Sequence, residues 1–234
     1  MKTSNDLISI LLSSYNSEKT IRNSIKSILK QNYSNFELLI IDDCSTDQTH
    51  KIIEKCASED NRIKIYKNNE NIGLTRSLNK LLKVAKGSFI GRQDADDISL
   101  PNRFSYQLEY IKKTKVKIVT ARAIIKNSNK KIPRYSYLLP NSFVMKYKNP
   151  FIHGTLMMER SVIENIGGYD ENFYFSQDYK LYKDCYKAGY SISIINKVLY
   201  ELNMENNISE KNKEAQDYYF KCARGNITPN RIFN

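Results

Sequence analysis

Apolar and polar residues alternate in blocks along the first hundred residues, and each block has the length of one strand or one helix. Short apolar runs at 7–12 and 37–41 fit strands that are buried on both faces of a sheet. Between these runs, Ile21, Ile25 and Ile28 recur at helical spacing, which is typical of a helix with one buried face. The alternation predicts a parallel sheet covered by helices on both sides.

The regular alternation ends near residue 100, and a less regular second half follows. A third strand at 63–66, a helix that presents Leu74 and Leu78, and a fourth strand at 89–91 complete the regular part. No repeat or low-complexity linker divides the chain, so we expect one α/β domain over residues 1–234. The second half predicts a helix around 104–111, strands at 116–125, 155–158, 191–195 and 198–202, a helix at 178–187, and a polar C-terminal helix from about Glu210 to Arg224.

Charge and composition exclude several classes of protein without selecting one. Lys and Arg outnumber Asp and Glu by 37 to 25, a net charge of +12 that is compatible with nucleic acid, anionic lipid or a phosphate-bearing substrate. The four cysteines form no C-x-x-C pair, so neither a zinc site nor a disulfide framework is expected. No apolar run approaches the roughly 18 residues that cross a bilayer, and the N-terminal run is too short for a secretory signal. We therefore expect a cytoplasmic protein.

Polar clusters follow three of the predicted strands, at 13–16, 42–43 and 94–97. In an open parallel sheet, ligands bind beyond the carboxyl ends of the strands, where loops diverge. Any one cluster on its own is better explained as a loop cap, because Asp, Asn and Ser are common in turns. Three clusters at one edge favour a shared site.

The acidic segment 94–97 is the strongest local signal. Three carboxylates on one loop repel one another unless a cation neutralises them, and oxygen ligands suit Mg²⁺ or Mn²⁺. The alternative is a solvated acidic turn in which Asp97 caps the next helix.

Six stretches in order resemble the family 2 glycosyltransferases, inverting enzymes that use nucleotide-sugar donors. No single stretch is specific, but the ordered set is, and it covers almost the whole chain. The resemblance implies the GT-A fold, a central, mostly parallel twisted sheet flanked by helices. It also implies that residues 1–100 bind the nucleotide sugar and residues 101–234 the acceptor. The stretches are ISILLSSYN at 8–16, LIIDDCSTD at 39–47, NIGLTRSLN at 71–79, GSFIGRQDADD at 87–97, NPFIHGT at 149–155 and GGYDENFYFSQDYKL at 167–181.

The resemblance implies a role for each donor-side residue. Asp43 would accept a hydrogen bond from the base, with a loop cap as the alternative, and Arg76 would contact the base or diphosphate, with an exposed helical arginine as the alternative. Asp94 would bind the ribose hydroxyl and Asp96 a Mn²⁺ or Mg²⁺ ion on the diphosphate, in the manner of the family's D-x-D pattern. The nucleotide-sugar pocket implied in this way consists of Ser14, Tyr15, Asp43, Arg76, Asp94, Ala95 and Asp96.

The acceptor side depends on Asp178, which the resemblance makes the general base. An inverting displacement needs one base within hydrogen-bond reach of the acceptor hydroxyl, and the alternative role for Asp178 is a helix cap. Gln177 stands where many members have Glu, so acceptor contacts can differ here. His153 could be an acceptor contact, a metal ligand or a structural histidine, and an acceptor contact is favoured over a metal ligand. The aromatic stretch 169–175 fits either an acceptor loop or the core. His50, by contrast, is expected at the surface.

Two departures from the family pattern refine the expectation. The Q-x-x-R-W motif of processive members is missing, and the chain has no Trp, which favours transfer of one sugar per binding event. Segment 200–203 lacks the basic residue that often holds the diphosphate, so Lys197, Arg224 or another residue replaces it, or the contact is lost.

The expected function is an inverting, metal-dependent transfer of one sugar from a nucleoside-diphosphate donor, with a UDP-sugar favoured, to a hydroxyl of a glycan or lipid-linked acceptor. Assembly of cell-surface polysaccharide is the usual setting of the family, and the basic surface leaves peripheral association with the inner face of the plasma membrane open. The alternatives are a nucleotidyltransferase on a similar sheet and a basic nucleic-acid-binding protein. The second is disfavoured because the ligand edge is acidic. The sequence predicts no oligomeric state.

Overall fold

A computed structural model describes residues 6–205 and 212–230 of the chain. Nine strands within these residues form one sheet. The strands are β1 (Ile8–Ser14), β2 (Phe36–Asp42), β3 (Ile63–Lys67), β4 (Phe89–Asp94), β5 (Ile98–Ser99), β6 (Ile118–Ile125), β7 (Lys131–Ile132), β8 (Met157–Glu159) and β9 (Ile192–Leu202).

Helices cover both faces of this sheet in the described part of the chain. Short 3₁₀ helices at Ser136–Leu138 and His153–Thr155 lie between the longer elements. The α-helices are α1 (Ile21–Leu29), α2 (Thr49–Glu59), α3 (Leu74–Val84), α4 (Arg103–Thr114), α5 (Asn141–Val144), α6 (Arg160–Asn165), α7 (Gln177–Lys187) and α8 (Lys213–Gly225).

The sheet has two parts that meet at β8. Its strand order is β3-β2-β1-β4-β8-β6-β9-β5, with β7 added beside β6. Strands β1 to β4 are mutually parallel, as the alternation predicts. Strand β8 then runs antiparallel to both of its neighbours, β4 and β6, and thereby joins the second part. The predicted α/β fold with a central, mostly parallel sheet is confirmed.

Two apolar layers hold the helices against the sheet. Ile8, Ile10 and Leu12 of β1 face the layer that contains the buried sides of α1, α2 and α4. Leu11 points the opposite way, into the layer formed with α3, α6, α7 and α8. Because successive side chains of a strand point to opposite faces, a strand with helices on both sides has to be apolar throughout.

Two local predictions need revision. The strands expected at 191–195 and 198–202 are one strand, β9, whose register against β6 shifts beside Arg122. The apparent break in the pattern is this irregularity. The C-terminal helix is present as Lys213–Gly225, whereas its expected start at Glu210 lies outside the described residues.

Candidate active site

The three polar clusters meet at one edge of the sheet. In the strand register, Ser14 at the end of β1 lies opposite Asp42 at the end of β2, and Ser13 lies opposite Asp94 at the end of β4. The carboxyl ends of three neighbouring parallel strands thus present their loops side by side, which is where ligands bind in sheets of this type.

Ser14, the last residue of β1, and Tyr15, which follows it, lie in different environments. Ser14 is buried and its hydroxyl group donates to the carbonyl oxygen of Ile41. Tyr15 is 48% exposed at the same edge, so its ring is free to contact a ligand there. Of this pair, Tyr15 is therefore the residue better placed for the expected nucleotide contact.

Asp43 is buried and organises the loop before α3. Its carboxylate accepts hydrogen bonds from Asn68 Nδ2 at 2.8 Å, from the backbone N–H of Ile72 at 3.0 Å and from that of Gly73 at 2.8 Å. A carboxylate accepts about four bonds, so room for one further donor remains. The loop-cap role is thus present in the structure, and it leaves space for the expected contact with a base.

Arg76 lies on the exposed side of α3. Its Nε is 3.7 Å from Glu171 Oε2, and the two side chains are 58% and 51% exposed. An exposed pair of this kind contributes little to stability, which leaves the guanidinium available for a phosphate or a base.

The carboxylates of the acidic turn 94–97 have three different environments. Asp94 is half-buried and pairs with Arg92, with 2.6 Å between Asp94 Oδ1 and Arg92 Nη2. Asp96 is exposed, yet the protein around its carboxyl group and the charge of Asp94 raise its pKa to about 6. Asp97 is buried, where desolvation and the charges of Asp94 and Asp96 raise its pKa to about 8. Ala95 separates Asp94 from Asp96.

Asp97 does not cap the next helix, contrary to the alternative considered for it. Helix α4 begins only at Arg103. The carboxyl group of Asp97 instead accepts the backbone N–H of Asn203 at 2.7 Å and the hydroxyl hydrogen of the buried Tyr200. Asp97 therefore attaches the acidic turn to the end of β9, and Asp96 is the acid that faces solvent.

The donor set of the turn fits a divalent cation. Asp96 and Asp94 offer hard carboxylate oxygens, and no other described residue donates a hydrogen bond to the Asp96 carboxyl group. A bound cation would reverse the repulsion that raises the pKa of Asp96. Within the described residues no cluster of three His, Cys, Asp or Glu side chains forms, so a cation would need further oxygen ligands from a bound phosphate.

A second layer of residues holds Asp94 in place. Arg92 is buried, and its guanidinium group donates to the carbonyl oxygen of Leu11 as well as to Asp94. Gly154 packs against the same carboxylate, because a Cβ atom on Gly154 would lie 2.6 Å from Asp94 Oδ2 and 2.5 Å from Tyr200 Oη. Any side chain at position 154 would displace Asp94 or Tyr200.

His153 is hydrogen-bonded to Tyr169, and the charges of Arg92 and Asp94 act on its imidazole ring. Its Nε2 shares a 2.8 Å hydrogen bond with the hydroxyl group of Tyr169, and burial together with the charge of Arg92 lowers its pKa to about 3. The imidazole is therefore neutral at physiological pH. Burial raises the pKa of Tyr169, and the charges of Asp178 and Asp94 add to the effect, so both carboxylates act on this tyrosine.

Asp178 stands in the first turn of α7 with its carboxylate held by two donors. The backbone N–H of Tyr179 donates to Oδ1 at 2.8 Å, and Asn149 Nδ2 donates to Oδ2 at 2.7 Å. Burial raises the pKa of Asp178 to about 6, and the charge of Asp94 raises it further against the lowering by these hydrogen bonds. Gln177 opens the helix one residue earlier, about 100° around the helix axis, and is partly exposed.

The aromatic stretch 169–175 belongs mainly to the core. Tyr169, Phe173 and Phe175 are buried, and only Tyr174, at 51% exposure, remains accessible. Tyr174 lies over Gly73 at the start of α3, so this single ring borders the nucleotide side of the site.

The two basic residues suggested for the diphosphate lie elsewhere. Lys197 Nζ stands 4.2 Å from the ring centre of Tyr106, and the Arg224 guanidinium group lies over Phe220. Lys126 interacts with the acidic turn, because its positive charge lowers the pKa of Asp96. The backbone N–H of Lys126 donates to the carbonyl oxygen of Leu202, next to the segment where the sequence lacks a basic residue.

His50 is also placed differently from the expectation of a surface side chain. Its Nδ1 lies 3.2 Å from Asp42 Oδ2, and Asp42 is fully buried. The pair closes the loop between β2 and α2, so His50 is a structural residue of the sheet edge.

Sequence reasoning did not identify Arg92, Asn149, Gly154 or Tyr200 as residues of the site. Arg92 lies inside β4 directly after the residues Phe89–Gly91, and a charged residue within a central strand signals a buried partner. Asn149 and Gly154 lie with His153 in the stretch 149–155, whose only signal in the sequence is its resemblance to the family. Tyr200 carries no local signal, because only the fold brings it 106 residues back to Asp94.

Comparisons with known proteins place these observations in a family. Residues 9–167 match the sequence model described as Glycosyl transferase family 2. The putative glycosyltransferase EpsE of Bacillus subtilis (strain 168) is 37% identical over 69% of this chain and 59% of its own length. WfgD of Escherichia coli, a UDP-Glc:alpha-D-GlcNAc-diphosphoundecaprenol beta-1,3-glucosyltransferase, is 33% identical over 81% of this chain and 73% of its own.

Solved structures share the fold. TarS 1-349 of S. aureus in complex with UDP-GlcNAc matches with a TM-score of 0.74 at 23% identity, over 88% of this chain and 60% of that one. The mannosyltransferase PcManGT from Pyrobaculum calidifontis, in complex with GDP-Man and Mn2+, matches with a TM-score of 0.75 at 17% identity, over 91% of this chain and 61% of that one. The chain thus spans about three fifths of EpsE and of these two structures. The expected GT-A fold is confirmed.

Proposed function

The chain belongs to glycosyl transferase family 2, and on this basis we propose that it transfers a single sugar from a nucleoside-diphosphate donor to an acceptor hydroxyl group with inversion at the anomeric carbon. A UDP-sugar is the favoured donor. The favoured acceptor is a glycan or a lipid-linked saccharide of cell-surface polysaccharide assembly. Within one domain, residues 1–100 would bind the donor and residues 101–234 the acceptor.

The observation that carries this proposal is the single neighbourhood shared by the acidic turn and Asp178. The charge of Asp94 raises the pKa of Asp178, and both carboxylates act on Tyr169, which bonds to His153. The segment 149–154 links the two regions as well, because Gly154 lies against the Asp94 carboxylate and Asn149 donates to Asp178, which supports a shared cleft. A donor held at the turn and a base on α7 then face the same reaction centre.

Asp178 is the proposed general base. With a pKa of about 6 its carboxylate is mainly ionised at neutral pH and is more basic than an ordinary aspartate. The hydrogen bonds from Asn149 and the N–H of Tyr179 fix its orientation. Asp178 would take the proton of the acceptor hydroxyl group as its oxygen bonds to the anomeric carbon, and the bond to the diphosphate would break on the opposite side.

The donor side divides into a base region and a phosphate region. Tyr15, Ser14, Asp43 and Arg76 would surround the base and ribose, with Asp94 and Ala95 beneath the ribose. Asp96 would hold Mn²⁺ or Mg²⁺ through its exposed carboxylate. When bound, such a cation neutralises negative charge that builds on the departing diphosphate. His153 and Gln177 would line the acceptor side.

The relatives support the substrate classes of the proposal. The TarS structure contains UDP-GlcNAc, and the name of WfgD gives a UDP-glucose donor and a diphosphoundecaprenol-linked acceptor. Family membership also disfavours a nucleotidyltransferase or a nucleic-acid-binding protein. Action at the inner face of the plasma membrane is part of the proposal, because a lipid-linked acceptor resides there. Among the described residues no helix is long and apolar enough to cross a bilayer.

The test is a donor screen with the purified chain. UDP-glucose, UDP-galactose, UDP-GlcNAc, GDP-mannose and, in parallel, UTP and GTP are each incubated with Mn²⁺, with Mg²⁺ or with EDTA, and released nucleoside diphosphate and pyrophosphate are measured. We expect release from one UDP-sugar with a divalent cation and none with EDTA. Turnover of a nucleoside triphosphate in place of every sugar nucleotide would support the nucleotidyltransferase alternative and contradict the proposal.

A further inference from the structure

Nearly all of the excess positive charge of the chain lies in one segment. Residues 110–158 contain eleven Lys and Arg and no Asp or Glu, whereas the rest of the chain has 26 basic against 25 acidic residues. The five basic residues of 130–148, which are exposed, form no ion pair in the part of the chain that the structure describes. They are Lys130, Lys131, Arg134, Lys146 and Lys148.

The same segment exposes large apolar side chains. Five of the eleven exposed large apolar residues among those described lie within positions 135–147. Scattered exposed apolar residues are normal, but a group of this kind marks an interaction surface. We call the five basic and five apolar residues together the 130–148 surface, and its apolar members are Tyr135, Leu138, Leu139, Phe143 and Tyr147, at 64%, 68%, 52%, 49% and 68% exposure.

The protein holds these side chains outward by burying their neighbours. Val144 and Met145 are buried beside the exposed Phe143, and Tyr179 donates to the carbonyl oxygen of Met145 at 2.6 Å. Asn141 Nδ2 donates to the carbonyl oxygen of Ile192 at 2.9 Å. The segment is therefore fixed to α7 and β9, so its exposed rings and leucines are presented to solvent by a supported backbone.

We propose that the 130–148 surface docks the protein on a bilayer that contains anionic phospholipid. The apolar members would enter the boundary between headgroups and acyl chains, and the basic members would contact lipid phosphates. Charge complementarity selects this occupant, because a second copy of the same surface would oppose basic residues to basic residues. The leucines give nucleic acid neither stacking nor hydrogen bonds, whereas the three aromatic rings can stack on bases, so tight binding of a single-stranded oligonucleotide with no binding to vesicles would contradict the proposal.

The docked orientation has a consequence that rests on the proposed function. Asn149 directly follows the 130–148 surface and donates to Asp178, and Tyr179 of α7 bonds to Met145 within it. The bilayer would therefore lie on the side of the molecule where the proposed base receives its acceptor. A lipid-linked acceptor could reach Asp178 without leaving the membrane surface.

Vesicle flotation of the purified chain tests the docking without donor or acceptor, so its result is independent of the transferase proposal. We expect binding to vesicles of phosphatidylcholine mixed with phosphatidylglycerol, weak binding to phosphatidylcholine alone, and weakening by salt. Equal binding to both vesicle types, or no binding to either, would overturn the proposal.

Matched variants locate the contact. Lys146→Ala/Lys148→Ala should lower the partition coefficient more than tenfold, at about fivefold per basic residue, and Leu138→Ser should lower it about fivefold. The controls Lys51→Ala/Lys55→Ala and Ile227→Ser remove equally exposed residues elsewhere and should change it less than twofold. Circular dichroism confirms that each variant is folded.

Three outcomes of the variant series would contradict the proposal. The first is that the surface variants bind like the parent chain, and the second is that the controls lose as much binding as the surface variants do. The third is that the parent chain is a dimer by light scattering and that the surface variants are monomers with unchanged lipid binding. That result would make the surface an interface between copies.

Discussion

Asp96 of the acidic turn after β4 and Asp178 on α7 have the same pKa of about 6, and desolvation is the largest cause for both, but the groups around the two carboxylates differ. Asp96 is exposed, and its pKa of about 6 comes from the surrounding protein and the neighbouring charge of Asp94. Asp178 is partly buried, and its hydrogen-bond donors oppose the rise of the pKa that desolvation causes. A cation at the turn would cancel the repulsion there but would leave Asp178 basic. Equal pKa values therefore accompany different proposed roles, cation binding for Asp96 and proton transfer for Asp178.

The largest expected effect is on the α7 side. Asp178→Asn removes the proposed base with little change in shape, and we expect kcat to fall by about 10²–10⁴ while donor affinity stays within about twofold. Steady-state transfer and calorimetric binding of UDP with Mn²⁺ measure the two quantities. Transfer at the parent rate would remove Asp178 from the mechanism.

Substitution in the acidic turn should also weaken donor binding, which Asp178→Asn leaves nearly unchanged. Asp96→Asn should weaken binding of UDP with Mn²⁺ as well as lower kcat by about 10²–10³, because the cation contact stabilises the bound donor and stabilises the transition state still more, as charge builds on the departing diphosphate. Asp97→Asn is the matched control. Asp97 is buried with a pKa of about 8, so it is mainly neutral at pH 7, and its amide should cost less than about tenfold.

If Asp97→Asn reduced cation binding as strongly as Asp96→Asn, the distinction between the two neighbouring acids would be wrong. The comparison is made at pH 7, where desolvation and the charges of Asp94 and Asp96 keep the Asp97 carboxyl group mainly protonated in the metal-free chain. In the parent chain, raising the pH through 8 ionises Asp97. Cation binding measured across this range should show whether the buried charge of Asp97 weakens the site.

A pH profile sharpens the contrast further. A general base works when deprotonated, so the parent chain should lose kcat as the pH falls through about 6, the pKa of Asp178. Asn149→Ala removes a hydrogen bond that stabilises the ionised form, so the acid limb should move up by about one pH unit, with about a fivefold loss at pH 6. A uniform loss with an unmoved limb would make Asn149 a purely structural residue.

The smallest effect concerns Lys126. Its charge acts on Asp96, so Lys126→Ala should raise the KM for the donor about three- to tenfold with kcat little changed. Lys197→Ala is the control, because Lys197 stands over the ring of Tyr106. A larger effect of Lys197→Ala would reassign the contact with the diphosphate.

The sequence predicts the part of the site that depends on local pattern. Strands β1, β2 and β4 are short apolar runs with polar ends, so their edge and the acidic turn follow directly from period and composition. The irregular second half is less accessible. Strand β8 has three residues and takes its place between β4 and β6 only through long-range pairing.

The supporting residues of the site could not be predicted for the same reason. Asn149 meets Asp178 across 29 residues, and Asp94 meets Tyr200 across 106. Neither contact leaves a periodic signal. The sequence does not predict that Asp96 and Asp97 have different environments. That difference arises because the backbone N–H of Asn203, which follows β9, donates to Asp97.

A crystal structure of the chain with UDP and Mn²⁺ tests most directly whether the two acidic regions border one reaction centre. We expect Mn²⁺ bound to a carboxylate oxygen of Asp96 at about 2.2 Å, with the diphosphate in the cleft that the Asp178 carboxylate faces. Nucleotide bound at another face of the sheet, or a cation bound away from Asp96, would contradict this expectation.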